Sequence, residues 1–313
     1  MKQLIRAIPI PISGVMLALF SLAKLVKTFE LTWFANGLIF IGAVFLSGLL
    51  LKIVLAPECV LKEMKNPLIA AVSPTFTMAL MVLSSLYMDT IVVWENIWWF
   101  ALVLHFVLML YFTYRFVLRT ALTLSHIYPS WFIMYIGMGI MPLTAGGRAP
   151  ALMDIVFYSC ITFVIILVPL MLVRIFVMRN LEVPTLPLIT ILCAPVSLTL
   201  AGYLAHVEAA STTMVLTLVI IAQLLYVLVL TQLPRLLHLP FFPSYAAFTF
   251  PLVICATALT NAVHYLGYTG PIVTTVIVVE ITFATVMVLY VTARYIVFLW
   301  REMASARKVA VNE

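Results

Sequence analysis

Glu280 is the one carboxylate that falls near the middle of a long apolar run, in Val278-Val279-Glu280-Ile281-Thr282. A carboxyl group inside a bilayer costs a few kcal/mol or more, which makes such a residue a functional candidate by default. Two roles suit it: a proton-coupling site, or a neutral or paired carboxyl that ties one membrane helix to its neighbours. Its place on the last apolar run favours the second. His105 stands in another run without any HxxxH, CxxC or carboxylate cluster, so it reads as a hydrogen-bonded packing residue. Cys59, Cys160, Cys193 and Cys255 lie far apart, mostly within apolar stretches and without metal-type spacing. They read as small buried apolar residues. No metal or cofactor is expected, and no nucleophile stands with a base in the pattern that intramembrane catalysis would need. Asp89, Glu95, Asp154, Glu208 and His264 fall near helix ends, where solvation accounts for them. Arg148, after Gly146-Gly147, is a candidate for drawing anions to an external mouth.

These residues sit in a chain of 313 residues that is 65% hydrophobic and 9% charged, with a mean hydropathy of +1.22. Soluble domains carry roughly 25% charge, so the composition is that of an integral membrane protein with one transmembrane domain over 1–313. A span needs about 20 mainly apolar residues. Ten are expected, at 8–27, 32–56, 67–88, 91–118, 128–146, 151–178, 185–206, 212–234, 243–266 and 270–299. Lys2 and Arg6 ahead of an apolar run resemble a signal peptide. Lys24 and Lys27 near the end of that run, and the lack of a small-residue cleavage site, make it the first span instead. The breaks between spans are short, as in Lys62-Glu63-Met64-Lys65-Asn66, so no linker divides the chain.

The net charge of +6 reports orientation before it reports a partner, and no nucleic-acid partner is expected. One side would hold Lys2, Arg6, Lys52, Lys62, Lys65, Arg115, Arg119, Arg174, Arg179, Arg235, Arg294, Arg301, Arg307 and Lys308. The other would hold only Lys24, Lys27 and Arg148. Both termini are therefore expected in the cytoplasm, with the protein multi-pass in the plasma membrane.

Prolines then divide the spans into two classes. Five segments open at Pro9/Pro11, Pro67, Pro129, Pro187 and Pro243, with gaps from Pro9 of 58, 62, 58 and 56 residues. Inside them stand the breakers Gly14, Pro74, Gly137, Pro195 and Pro251, mostly seven or eight residues further on. A repeat of that length in so apolar a chain is a helix pair used five times. Broken helices are tolerated in a bilayer only where the freed backbone groups face protein or a water-filled path. The odd spans also carry hydroxyls, of which Ser73, Thr77, Ser197, Thr249 and Thr257 are candidates for lining such a path. The even spans are longer and richer in Leu, Val, Ile and Phe. The expected fold is all-α: ten transmembrane helices as five hairpins, with an inner ring of broken odd helices around a central pore and an outer ring of even ones. The odd helices have almost no charge in their middles, so any ion selection would fall to hydroxyls, half-helix dipoles and the overall field. Restarted helix N-termini favour anions, while the carbonyls that proline frees one turn earlier favour cations.

The order of these motifs carries a resemblance. Pro9-Ile10-Pro11-Ile12-Ser13-Gly14, Asn66-Pro67, Pro129-Ser130-Trp131-Phe132, Leu192-Cys193-Ala194-Pro195 and Phe248-Thr249-Phe250-Pro251 open or break the odd spans. Together they resemble the tellurite-resistance/dicarboxylate transporter family, which includes bacterial TehA proteins and plant guard-cell slow anion channels. The resemblance covers nearly the whole chain. It implies five hairpins around a pore in each subunit of a homotrimer, and transport of small anions such as chloride and nitrate or of C4-dicarboxylates such as malate. It also implies that a ninth-helix phenylalanine occludes the pore, a role that falls on Phe250, with Phe248 the weaker candidate. An aromatic ring in a narrow neutral pore excludes water, and a rotamer change is a cheap gate. Ser244-Tyr245-Ala246-Ala247 departs from the family's tryptophan- or tyrosine-rich start, and no long tail is seen for phosphorylation control of the plant type. Tellurite resistance is expected as a secondary consequence of anion permeability. The expected function is an anion channel, and the alternative is a proton-coupled C4-dicarboxylate carrier.

Overall fold

The computed structural model describes residues 2–312 apart from Leu122, and within them the side chains of 5–304. Lys2, Arg307 and Lys308, which count in the charge division, have side chains outside that set. Among the described residues the chain is 83% helical with no strand.

Ten segments form the body: α1 (Ile12–Lys27), α2 (Thr32–Leu55), α3 (Pro67–Ser85), α4 (Val92–Leu118), α5 (131–144), α6 (Pro150–Met178), α7 (Val183–His206), α8 (Thr212–Leu237), α9 (Pro243–Leu266) and α10 (Pro271–Asn312). Eight of these are long and apolar enough to cross a bilayer. The two outside that set are α1 and α5. Pro9 and Pro11 delay the start of α1, leaving 16 residues of helix. In α5 the chain passes from Trp131–Tyr135 through a tighter 3-10 turn, Gly137–Gly139, into Ile140–Thr144. Two glycines two residues apart weaken a helix by about 1 kcal/mol each relative to Ala, which accounts for the break.

The breakers act through backbone chemistry. Proline lacks an N–H and clashes with the carbonyl four residues earlier, so it is comfortable only in the first turn of a helix. In α3, Asn66 caps the start by accepting from the Leu68 and Ile69 amides at 2.9 and 3.4 Å, and a second helix begins at Pro74. In α7 a 3-10 stretch, Val183–Cys193, changes to α-helix at Ala194, with Pro195 in its first turn. In α9 the 3-10 stretch Pro243–Phe248 meets the α-helix from Phe250 across Thr249, whose φ of −110° and ψ of −85° interrupt the helical path.

Burial separates the same two classes. Within the most apolar window, 78% of α3, 89% of α7 and 72% of α9 is buried, against 22–33% of α2, α4, α6, α8 and α10. Thirteen of the 16 residues of α1 are buried as well. The bare aliphatic and aromatic side chains lie on the even segments, for example Trp33, Phe40, Phe100, Ile165, Leu224 and Val279, as a lipid-facing layer requires. The odd segments pack in a closed cycle, α1 on α3, α3 on α5, α5 on α7, α7 on α9, and α9 back on α1. Each odd segment also packs on the even segment that follows it.

Close approaches and polar bridges fix these contacts. A Cβ added to Gly42 of α2 would lie 2.4 Å from the Phe20 ring of α1, and one on Gly202 of α7 would lie 2.9 Å from the Gly139 carbonyl oxygen of α5. The Trp98 indole donates to the Thr144 hydroxyl at 2.9 Å, joining α4 to α5. Buried His105 of α4 meets the Thr77 hydroxyl of α3 at 2.8 Å through Nδ1. The Tyr295 hydroxyl donates to the Pro243 carbonyl, tying α10 to the start of α9.

Candidate functional site

The cycle of odd segments encloses a cavity of about 350 Å³. Its wall takes Pro11 and Gly14 from α1, Thr75 and Met78 from α3, and Phe132, Ile136 and Gly137 from α5. From α7 come Leu188, Ile191, Pro195 and Leu198, and from α9 Ala246, Ala247, Phe250 and Pro251. None of α2, α4, α6, α8 or α10 contributes a lining residue. The mouth lies at the end where the odd segments begin, among Glu63, Asn66, Pro184 and Ser244; Asn66 and Pro184 are exposed there. Along each odd segment the lining stops at or just past the breaker: at Gly14, Met78, Gly137, Leu198 and Pro251. Beyond that level the helices close on one another.

Of the five expected breakers, Gly14, Gly137, Pro195 and Pro251 are in the wall and Pro74 stands just behind it, next to Thr75; Gly14 does not break its helix, which runs uninterrupted over Ile12–Lys27 because Pro9 and Pro11 place the interruption before it. Gly14 lets α1 approach α9, since a Cβ there would lie 3.2 Å from that of Ala246. Phe250 is 7% exposed and sits at the closed end. Phe248, two residues earlier, is fully buried, turned away from the cavity, with its ring 4.8 Å from that of Tyr245.

None of the five hydroxyls expected to line a path is among the residues lining this cavity. Ser73 donates to the Ala70 carbonyl, Thr77 to that of Pro74, Ser197 to that of Cys193, Thr249 to that of Ala246 and Thr257 to that of Val253. A serine or threonine in a helix has a carbonyl within reach three or four residues back, and in an apolar wall that bond outcompetes exposure. The hydroxyls at the cavity are those of Thr75 and Ser244. Thr75 also meets Ser13 of α1 at 2.6 Å.

Charge is distributed differently from the expectation too. Among the described residues the lining holds one ionisable side chain, Glu63. Behind it lies Lys52 of α2, its side chain wholly buried, with Nζ 2.5 Å from Glu63 Oε1 and 2.5 Å from the Ile8 carbonyl oxygen. Sequence reading had placed Lys52 among the topology charges and Glu63 in a polar break. A basic residue three positions inside the end of an apolar run was the available signal. Arg174 is likewise buried, donating to the Ser125 carbonyl. Arg148 does not present a free charge to a mouth: it binds Glu95 at 2.9 Å and Asp89 at 3.2 Å and lines no part of the cavity. The Glu95 bond, with Asp89, pushes its guanidinium pKa further up.

Glu280 is 3% exposed and lies away from the cavity, hydrogen-bonded to Gln223 of α8. Its Oε2 has no partner. Gln223, a lone amide in an otherwise apolar run, is the partner that sequence reading left unnamed.

None of the curated proteins compared with the chain matches it. The family pattern described as voltage-dependent anion channel (SLAC1) does match, over residues 8–296. Five odd segments around a neutral cavity, four of them interrupted partway, thus coincide with a family assignment over nearly the whole length: the chain belongs to the SLAC1 family, which includes TehA and plant SLAC1.

Proposed function

We propose that this protein is a channel for small anions of the chloride and nitrate class, with the path running through the cavity between the five odd segments and Phe250 as its gate. Family membership gives anion transport across a membrane. The observation that carries the channel reading is the cavity wall: five odd segments, no even one, and no basic side chain among the described residues. Apart from Glu63 and Asn66 at the mouth, such a wall offers an anion only backbone dipoles and the hydroxyl-bearing Thr75 and Ser244, weak enough for it to leave as readily as it arrives. The α-helices that restart at Ala194 and Phe250 direct their positive dipole ends toward the same level of the wall.

In this reading α1 and α5 also cross the bilayer, completing ten spans in one transmembrane domain, with the odd segments inside and the even ones facing lipid. The charge division favours both termini in the cytoplasm of a plasma-membrane protein, and in that orientation the mouth at Glu63 and Asn66 faces inward. Three copies, each with its own path, form the assembly that the family relationship supports. The carrier alternative gives Glu280 the coupling role, and Glu280 lies outside the cavity.

The test is anion flux from proteoliposomes loaded with chloride, with and without a pH gradient. Flux that follows the chloride gradient alone, and is unchanged in Glu280→Gln, supports the channel. Flux of malate that needs the pH gradient and disappears in Glu280→Gln replaces it with the carrier.

A further inference from the structure

The Glu63–Lys52 pair poses an electrostatic problem. A carboxylate in the wall of an anion path repels what the path carries, and removing a lysine wholly from water is costly unless it is paired. The two residues solve each other's problem, but in a particular way. Lys52 Nζ holds two acceptors, the Ile8 carbonyl and Glu63 Oε1, and Ile8 stands between two residues of the cavity wall, Ala7 and Pro9. Glu63 is the member of the pair that faces the cavity, with its side chain 26% exposed. Its other oxygen, Oε2, is buried without any partner. One bond to Lys52 is thus all that the structure gives this carboxylate, and it ends a short helix, Pro57–Glu63, from which a change of side-chain rotamer carries it away.

We propose that the Lys52 ammonium is an anion-binding site at the mouth of the path, and that Glu63 fills it as a tethered carboxylate in competition with the permeating anion. The inference rests on the anion-conducting reading and adds to it an occupant and a residue that set access. Lys52 brings a buried positive charge up behind the wall of the path, and it is available only when Glu63 leaves. An arriving anion takes over the Glu63 contact, and the released carboxylate moves toward the mouth.

The experiment uses full-length protein with Glu63→Ala, Lys52→Met and the double substitution, with formate and chloride as probes. Thermal unfolding of each purified variant comes first, because it reads binding without any need for transport. Formate, a free carboxylate of the right size to replace the lost one, should raise the melting temperature of Glu63→Ala and leave the wild type and the double variant unmoved. In proteoliposomes Glu63→Ala should carry chloride about tenfold faster at low concentration, equivalent to 1.4 kcal/mol, and formate should inhibit that flux competitively. Glu63→Gln, which keeps the size and one hydrogen bond, covers the case in which the alanine variant folds poorly, and should show the same gain in smaller measure. A purely structural pair would give lowered stability in Glu63→Ala with no response to formate, and that result overturns the proposal. So does a gain in flux that persists in the double variant. Formate binding without chloride flux in any variant, Phe250→Ala included, would leave the site standing and sink the conduction reading instead.

Discussion

Replacing Phe250 and Phe248 separately by alanine tests the gate more sharply than either change alone, because two rings two residues apart have opposite surroundings. Phe250 is 7% exposed with one side on the cavity; Phe248 is fully buried against Tyr245 at 4.8 Å with the rings inclined at 68°. Truncating a buried phenylalanine costs about 3–5 kcal/mol. Phe250 belongs at the low end, about 3 kcal/mol, since part of its ring already lacks neighbours to lose. Phe248 belongs at the high end, about 5 kcal/mol, because an edge-to-face aromatic pair adds about 1 kcal/mol to the burial. Transport runs the other way. At about 30 Å³ per molecule, the cavity of about 350 Å³ has room for on the order of ten waters, so an anion can stay partly hydrated up to the ring and must be stripped there. Removing the ring should take at least 1.4 kcal/mol off the barrier, about tenfold in rate. The assay is current across planar bilayers under a chloride/nitrate gradient, with thermal unfolding of the same preparations. Phe250→Ala should conduct strongly and melt slightly lower; Phe248→Ala should melt much lower and conduct no better than wild type. Equal currents in wild type and Phe250→Ala, or a larger current in Phe248→Ala, would refute the assignment of the gate.

Two further substitutions test the framework. Gly202→Ala places a methyl 2.9 Å from the Gly139 carbonyl oxygen, an atom of the backbone that cannot swing aside, so α5 and α7 must separate; a loss of about 1–3 kcal/mol is expected, read as lower thermal stability together with altered conductance. His105→Leu removes the partner of Thr77, but the Thr77 hydroxyl keeps its bond to the Pro74 carbonyl, so the loss should be near 1 kcal/mol and conductance should not change. A large change in conductance with normal stability would make His105 a residue of the path and not of the packing.

The division into odd and even segments was legible because it rests on local backbone chemistry. Proline is disfavoured at an interior helical position, and Pro74, Pro195 and Pro251 each stand in the first turn of a restarted helix, although α6 and α8 also hold Pro169 and Pro234 within their helices. The apolar faces of the even segments were equally plain, since nothing else explains Trp33, Phe100 or Leu224 in runs of that length. The hydroxyls misled because a side chain's direction is a tertiary fact. The 3.6-residue period does not say whether Thr77 turns to the cavity, to His105 or to its own backbone, and its own backbone is always nearest. Thr75, two residues earlier, reaches the wall because the break at Pro74 rotates it there. Lys52 was hidden for another reason: basic residues at helix ends report topology on average, and that average conceals the single one buried behind the wall.

A neutral wall has a consequence for how selectivity can arise. Strong binding at several fixed charges would hold an anion in the cavity and slow its exit. The odd segments avoid this by turning most of their hydroxyls to their own carbonyls, so that the wall around Phe250 is largely methyl, methylene and ring. What remains to favour an anion over a cation is the direction of the helices that restart at Pro74, Ala194 and Phe250, each of which presents the positive end of its dipole toward the breaker level. Their effect is fractional and screened by any water present, whereas Lys52 holds a full positive charge behind the wall, paired with Glu63 and, in the proposed exchange, exposed when the carboxylate moves. Selection by weak dipoles in the middle and access by a compensated charge at the mouth are therefore separable, and variants at Glu63 should change how fast anions enter without changing which anion is preferred.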